Sequence, residues 1–173
     1  MKKPKVIGRS VMYATKYLSV ENFELDLGNK KKTIPVAIYP EVAAIVPLLD
    51  KNTVILGSEY RPTVDRTFLS IPGGKIEGDL DAKSAAKREL LEEVGYSCKS
   101  IKKIFVYYPL VGLTTSRVHI FLAKGLKQEN QHLDEDEFIT PVEVKIKDIP
   151  KLIKKGKIAD SKSIIGLTMM IRR

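Results

Sequence analysis

Residues 74–96 read GKIEGDLDAKSAAKRELLEEVGY, and this stretch decides the fold that we expect for the chain. Its second half repeats apolar residues at helical spacing, whereas its first half has the glycine and acidic residues typical of a loop. Asp81 can cap the start of the helix, and Gly95 can end it. The stretch therefore predicts a loop followed by an α-helix over residues 82–94.

Three carboxylates lie on one stripe of this helix. Glu89, Glu92 and Glu93 are spaced at i, i+3 and i+4, and like charges at that spacing destabilise a helix. A hard divalent cation such as Mg²⁺ would remove the repulsion, because it prefers oxygen ligands and is commonly shared between carboxylates and phosphates. Gly74 lies fourteen positions before Arg88, in a loop whose backbone can approach such a site closely. The stripe indicates metal-assisted phosphate chemistry, and a solvated acidic face is the alternative.

Strands flank this helix on both sides in the sequence. The apolar run at residues 42–49 is typical of a strand that is buried on both faces. Strands around a central helix, with further helices at the end of the chain, predict an α+β fold in which a mixed sheet lies between helices. The predicted strands are residues 11–18, 22–27, 33–39, 42–49, 54–60, 67–71, 101–107, 118–123 and 141–147, and the later predicted helices are residues 149–155 and 161–171.

The first three strands predict a small antiparallel sheet at the N-terminus. Pro40 precedes the long apolar run and marks a boundary between two parts of the chain. We therefore expect an N-terminal element over residues 1–40 and a main domain over residues 41–173. A chain of 173 residues with 43% hydrophobic content is long enough to bury a core.

Composition excludes several classes of protein. Cys98 is the only cysteine, so the chain can form neither an internal disulfide nor a thiolate metal cluster. No apolar run is long enough for a membrane span or a signal peptide, and we expect a cytoplasmic protein without membrane contact. The net charge of +9 would attract anions, but the basic residues lie in short scattered groups without interleaved aromatic residues. This pattern favours a solvated surface over a nucleic-acid interface.

Residues 74–96 resemble the Nudix box, which runs Gly, five residues, Glu, seven residues, Arg-Glu, a hydrophobic residue, any residue, Glu-Glu, any residue, Gly and a hydrophobic residue. The resemblance extends over nearly the whole chain. One position departs from the box, since Leu80 stands where the first Glu is expected. In the family that Glu forms a salt bridge with the box Arg, so we expect Asp79 or Asp81 to pair with Arg88 instead.

The resemblance implies the Nudix fold and a metal-dependent hydrolase. It implies that Glu89, Glu92 and Glu93, assisted by the carbonyl of Gly74, bind two or three Mg²⁺ or Mn²⁺ ions. Arg88 would orient these carboxylates. Such ions neutralise a diphosphate and lower the pKa of a water molecule that attacks it, so that no covalent enzyme intermediate is needed.

Within the Nudix family, residues 58–62 resemble a segment of the ADP-ribose pyrophosphatases. Arg61 in this segment would bind the diphosphate or the ribose phosphate, because a guanidinium is planar and always charged. The alternative is a surface arginine that pairs with Glu59 or Asp65.

Residues 108–117 resemble the loop after the box that selects ADP-ribose. The resemblance implies that Gly112 and Arg117 contact the substrate. Val111 and Ser116 replace the Pro and the Glu that this loop usually carries. The loss of that carboxylate leaves another nucleoside diphosphate sugar open as the substrate.

Residues 133–138 resemble the late acidic loop of the same family. In that loop a Glu is proposed to accept a proton from the attacking water, and Glu135 and Glu137 are both candidates here. A solvated acidic turn is the alternative for this run.

Two further segments resemble parts of the ADP-ribose pyrophosphatases. Residues 156–162 resemble the segment that opens the last helix, and we interpret it as structural, with Asp160 or Ser161 as the helix cap. By the same resemblance, the N-terminal strands would cross to a second subunit and make a homodimer. Tyr17 and Phe23 would then either stack on the adenine or pack in a core.

These inferences predict an enzyme that cleaves the diphosphate linkage of ADP-ribose to AMP and ribose 5-phosphate with metal-activated water. The first alternative is a hydrolase for another nucleoside diphosphate sugar or for a dinucleotide. The second is a basic nucleic-acid-binding module on a Nudix scaffold, which the net charge of +9 could support. Because such modules usually lose the box carboxylates and this chain keeps three, the enzyme is favoured.

Overall fold

The computed structural model describes residues 3–135 and 137–172. The chain divides into two compact units. The first contains the N-terminal residues up to Glu41 together with Tyr108–Arg117, and the second contains Val42–Tyr107 together with the residues from Val118 onward. The division into residues 1–40 and 41–173 stays a prediction about domains. The structure adds that residues 108–117 group with the N-terminal strands.

The first unit contains a three-stranded antiparallel sheet. Its strands are β1 (Lys5–Ala14), β2 (Ser19–Asp26) and β3 (Lys31–Ile38), in the order β1-β2-β3. The predicted strand over residues 11–18 is wrong in its bounds. The hydroxyl of Thr15 accepts hydrogen bonds from the amides of Tyr17 and Leu18, both at 3.1 Å, and this turn ends the strand.

A mixed sheet forms the second unit. Its main path has the order β10-β5-β4-β9-β8, while β6 pairs with β5 and β7 pairs with β4. Only the pairing of β4 with β9 is parallel among the described pairs of this sheet. The strands are β4 (Val42–Asp50), β5 (Thr53–Arg61), β6 (Arg66–Ser70), β7 (Gly73–Lys75), β8 (Tyr96–Tyr107), β9 (Val118–Gln128) and β10 (Ile139–Lys145).

Helices cover both faces of this sheet. The helices are α1 (Ala82–Val94), α2 (Ile149–Lys154) and α3 (Ser161–Ile171), and a short 3₁₀ turn covers Ile146–Asp148. On one face, Leu90 of α1 packs with Ile45 of β4, and on the other face Leu167 of α3 packs with Val46 of β4. Successive residues of a strand point to opposite faces, which explains why β4 is apolar throughout. The predicted α+β fold with a mixed sheet between helices is confirmed.

Strand β7 corrects the prediction of a simple tight loop after residue 71. Its three residues pair antiparallel with Val42, Ala43 and Ala44 of β4. A Cβ on Gly73 would lie 2.6 Å from the carbonyl oxygen of Ala43, so only glycine allows this approach. The loop before α1 is therefore fixed directly to the central strand.

The ends of the other strands also differ from the prediction. β8 begins at Tyr96 and β9 continues to Gln128, because the two strands pair beyond the main core at partners such as Cys98 and Leu126. β10 is an edge strand and begins at Ile139, and its Pro141 is tolerated there because an edge strand needs fewer backbone donors. Within the described residues, none of the helices has the length and apolar character needed to cross a membrane.

Candidate active site

Helix α1 carries the acidic stripe and has well-defined ends. The Asp81 carboxylate accepts hydrogen bonds from the amides of Lys83 at 2.7 Å and Ser84 at 2.9 Å, which caps the helix. Gly95 ends it in the left-handed conformation, with φ of 70°. Both predicted ends of the helix are thus observed, and together they fix the rotation at which the stripe meets the sheet.

Two of the three box carboxylates are buried against the loop that precedes the helix. Glu89 is 6% exposed and Glu93 is 9% exposed. The amide of Gly73 donates a hydrogen bond to Glu93 Oε2 at 3.1 Å. A Cβ on Gly74 would lie 2.7 Å from both carboxylate oxygens of Glu89, so the loop backbone rests on that side chain. The structure therefore brings Gly74, Glu89 and Glu93 together.

Burial changes the acidity of these two side chains. It is the main reason that the pKa of Glu93 is raised to about 7, a value that also includes a lowering by Lys162 and a raising by the neighbouring charge of Glu89. Burial also raises the pKa of Glu89, against the opposing effect of Arg88. Two carboxylates that are so poorly solvated gain from a bound cation, because the cation would replace the lost hydration of the charged form.

Arg88 lies among the carboxylates as predicted, but the predicted partners Asp79 and Asp81 are wrong. Its guanidinium is 2.8 Å from Glu89 Oε1, 3.4 Å from Glu92 Oε2 and 3.4 Å from Glu77 Oε2. It also donates to the carbonyl of Lys75 at 3.2 Å. Asp81 is used as the helix cap instead.

Glu77 thus takes the place in the salt bridge that the missing box Glu would fill. It stands three positions before Leu80, whose side chain is 39% exposed. The salt bridge between Glu77 and Arg88 depends on how the loop before α1 folds back toward that helix. No local sequence pattern predicts this backbone path.

The late acidic loop brings Glu137 toward the stripe. The charge of Glu137 contributes, after the larger effect of burial, to the raised pKa of Glu59, Glu89 and Glu93. Glu137 is partly buried, whereas Glu135 is exposed. Of the two candidates for proton acceptor, Glu137 is therefore the one whose charge acts on Glu89 and Glu93. Asp136 lies outside the described residues.

Lys162 is a residue of this site that the sequence analysis treated only as part of a structural segment. Its ammonium donates a hydrogen bond to the carbonyl of Ile71 at 2.5 Å. It also lowers the pKa of Glu93 against the larger effect of burial. The cap of α3 is Asp160, whose carboxylate accepts from the amide of Ser163 at 3.0 Å. This cap stabilises the first turn of α3, which lies next to the loop before α1.

Arg61 forms a salt bridge with Glu59 at 2.7 Å. The Glu59 side chain is 13% exposed and the Arg61 side chain is 46% exposed. The alternative pairing with Glu59 is therefore observed. Because the guanidinium remains half exposed, the pairing leaves part of it open to an anion.

The remaining predicted substrate residues lie in the first unit. Arg117 donates to the Glu41 carboxylate, with its Nε at 2.9 Å from Oε1. Gly112 is exposed and has open space around its Cα. Ser116 stands where the family carries a Glu, and it is 3% exposed and donates to the carbonyl of Pro40 at 2.9 Å. Ser116 is thus a packing residue within this unit.

The oxygen donors around α1 fit a hard divalent cation that keeps part of its water shell. Within residues 3–135 and 137–172, no three or more histidine, cysteine or acidic residues are already arranged to hold a metal ion. Arg88 contacts oxygens of both Glu89 and Glu92. Mg²⁺ and Mn²⁺ accept such partial sites, because they complete their coordination with water and substrate phosphate.

Comparison with known proteins agrees with this arrangement. A family model of the NUDIX domain matches residues 39–164. An ADP-ribose pyrophosphatase of Bacillus subtilis (strain 168) is 33% identical over 167 residues, which cover 94% of this chain and 90% of that protein. A methanol dehydrogenase activator of Bacillus methanolicus is 32% identical over 152 residues, which cover 87% of this chain and 82% of that protein.

A solved structure shows the same fold. A crystal structure of an ADP compounds hydrolase matches with a TM-score of 0.88 at 22% identity, and the match covers 99% of this chain and 94% of that chain. At that identity the match shows the fold alone. The family-model match and the Bacillus subtilis relative confirm the family predicted from the sequence. The chain belongs to the Nudix family of hydrolases.

Proposed function

We propose that this protein hydrolyses the diphosphate linkage of ADP-ribose and releases AMP and ribose 5-phosphate. One observation carries the proposal. Glu89 and Glu93 are buried side by side on α1, directly under the backbone of Gly73 and Gly74. A structural helix gains nothing from two buried carboxylates, whereas a diphosphate hydrolase needs such a site. The name of the Bacillus subtilis relative supports ADP-ribose as the substrate.

The reaction would depend on two or three Mg²⁺ ions, and Mn²⁺ would be able to replace them. Glu89, Glu92 and Glu93 would hold these ions together with the carbonyl of Gly74. When bound, the ions supply positive charge that neutralises the diphosphate and makes water acidic enough to attack phosphorus. Arg88 contacts both Glu89 and Glu92 and would orient these carboxylates for the ions.

The protein's own residues have separate tasks around this centre. Glu137 would accept the proton of the attacking water, because it is the acidic-loop residue that lies near the stripe. Arg61 would bind a phosphate oxygen with the exposed part of its guanidinium. Arg117 and Gly112 would contact the substrate, and this expectation rests on the resemblance of residues 108–117 to the loop that selects ADP-ribose.

We also propose that the protein is a homodimer whose interface includes β1. Apolar side chains on this strand are exposed, including Val11 at 63%, Met12 at 64% and Tyr13 at 60%. Such a row on a strand at the edge of a sheet is unfavourable in water unless another surface covers it. A second copy of the same sheet would cover it and would satisfy the symmetry of a dimer.

A substrate panel tests the proposed activity. Purified protein with Mg²⁺ would be incubated with ADP-ribose, diadenosine compounds, other nucleoside diphosphate sugars and nucleoside triphosphates, and the products would be identified by mass spectrometry. We expect ADP-ribose to give the highest kcat/KM, with AMP and ribose 5-phosphate as the only products. A higher kcat/KM for another sugar nucleotide or for a dinucleotide would replace ADP-ribose as the substrate while keeping the reaction class.

A further inference from the structure

The first turn of α3 holds one residue of the loop before α1 by both of its backbone polar groups. The amide of Ile71 donates to Ser163 Oγ at 2.8 Å, and the carbonyl of Ile71 accepts from Lys162 Nζ at 2.5 Å. Ile71 and Ser163 are both fully buried. In the part of the chain that the structure describes, Lys162 is the only partner of this carbonyl. The hydrogen bond from Lys162 therefore satisfies a group that water does not reach.

The residues that follow Ile71 lead directly to the acidic stripe. The carbonyl of Pro72 accepts from the amide of Ile45 at 2.9 Å, which fixes it to β4. The amide of Gly73 donates to Glu93, and the backbone of Gly74 rests on Glu89. Three successive residues thus tie the loop to α3, to β4 and to α1. Because the chain between Ile71 and Gly73 has only one intervening residue, a shift at the first is transmitted to the second.

Helix α3 is a rigid support for this contact. A Cβ on Gly166 would lie 3.0 Å from Ile71, 3.1 Å from Val46 and 3.2 Å from Ile120, so the helix backbone lies close against the sheet. The Asp160 cap fixes the first turn. Lys162 therefore reaches the loop from a helix that cannot easily move away.

The ammonium of Lys162 also acts on the acidic side chains from this position. In residues 3–135 and 137–172 it forms no salt bridge. It nevertheless lies near enough to Glu59 to stabilise the charged form of that side chain against the cost of burial. An uncharged side chain of the same length would provide neither the hydrogen bond nor this stabilisation.

We propose that Lys162 is a positioning residue, which holds the carbonyl of Ile71 and thereby places Gly73 and Gly74 over Glu93 and Glu89. Its effect on turnover rests on the proposed hydrolase function. Its effect on the loop does not, because the contacts that carry it join groups of the protein itself.

The test compares Lys162→Met and Lys162→Arg with the wild type by two independent measurements. Amide hydrogen exchange on the metal-free protein reports whether Gly73 and Gly74 remain protected, and steady-state kinetics with ADP-ribose and saturating Mg²⁺ report catalysis. For Lys162→Met we expect faster exchange at both glycines and a fall in kcat of about tenfold or more with KM within about twofold, because a misplaced loop affects the transition state more than substrate binding. Lys162→Arg should restore most of both properties.

Lys155→Met is the matched control, since Lys155 is exposed at the end of α2. It should leave both measurements unchanged. If Lys162→Met does not fold, Lys162→Gln gives the same comparison, because its shorter side chain does not span the distance to the carbonyl. Wild-type exchange at Gly73 and Gly74 in the neutral variants would overturn the proposal, and so would a loss of kcat that Lys162→Arg does not relieve. A wild-type protein inactive on ADP-ribose would instead refute the proposed substrate, and the exchange result would still decide the role of Lys162.

Discussion

The residues of the candidate site show how much a local pattern can predict. The box spacing predicted that the loop at Gly74 faces the acidic stripe, and the backbone of Gly74 does lie against Glu89, while Glu89 and Glu93 share one face of α1 because they are one helix turn apart. The pattern could not identify Glu77 or Lys162. Glu77 meets Arg88 through the path of a loop, and Lys162 meets Ile71 across 91 positions of sequence.

Glu93→Gln tests the central residue of the site. The substitution keeps the size of the side chain and removes the charge that a divalent ion would bind. We expect kcat for ADP-ribose to fall about 100-fold or more, since groups that stabilise transition-state charge have effects of this size. Far-ultraviolet circular dichroism should be unchanged, because a neutral side chain is less costly to bury at this 9% exposed position.

The control for this variant is Glu143→Gln, which makes the same chemical change at an exposed position of β10. It should keep wild-type activity. Near-normal turnover in Glu93→Gln would contradict the assignment of the box carboxylates to catalysis.

At the scale of elements, the helices were predictable and several strand ends were not. Helices α1 and α3 occupy their predicted bounds, because capping residues are local signals that lie next to the helix in the sequence. Strand β7 escaped prediction because its three residues include two glycines and carry no alternation of apolar side chains. The extra length of β8 and β9 depends on the pairing of these two strands with each other, and the sequence of either strand alone does not predict it.

The cap of α1 gives a prediction about pH. Hydrogen bonds from the amides of Ser84 and Lys83 lower the pKa of Asp81. A carboxyl group whose pKa is lowered on folding stabilises the protein above its usual pKa, and this contribution is lost as the pH falls through the lowered pKa. We therefore expect Asp81→Ala to melt below the wild type at pH 7, with the difference shrinking as the pH falls through the lowered pKa of the wild-type carboxyl.

Asp81→Asn separates the cap from the charge, because asparagine also caps helices but does not titrate. It should melt close to the wild type at pH 7. Calorimetry over a range of pH values measures all three proteins. A melting difference between Asp81→Ala and the wild type that stays the same from pH 7 down to the lowest pH at which both proteins fold would contradict the role assigned to the carboxylate.

At the scale of the whole molecule, the sequence predicted the layers but not the grouping of segments. The mixed sheet between helices followed from the order of strand and helix patterns. The association of Tyr108–Arg117 with the N-terminal strands did not, because it depends on contacts such as the amide of Ala37 with the carbonyl of Leu113 at 2.8 Å. Contacts between segments so far apart in the chain leave no periodic signal in either one.

The exposed apolar residues of β1 allow a test of the proposed dimer. Met12→Lys places a charge in the row that a second copy would cover, so we expect this variant to be monomeric where the wild type is dimeric. Size-exclusion chromatography with light scattering gives the mass in each case. Val64→Lys makes the same change at a position that is 56% exposed in the second unit, and it should remain dimeric. A monomeric wild type at micromolar concentration would refute the dimer.

The contacts of Arg88 have a consequence for the stability of the protein when the concentration of divalent cations changes. Its guanidinium already offsets the repulsion between Glu89 and Glu92, so the helix keeps its shape when no cation is present. Stripping the ions with a chelator should therefore stop turnover without melting the protein, and resupply should restart it at the speed of ion exchange. On the proposed metal-dependent mechanism, Arg88 would let the protein lose and regain divalent cations without unfolding.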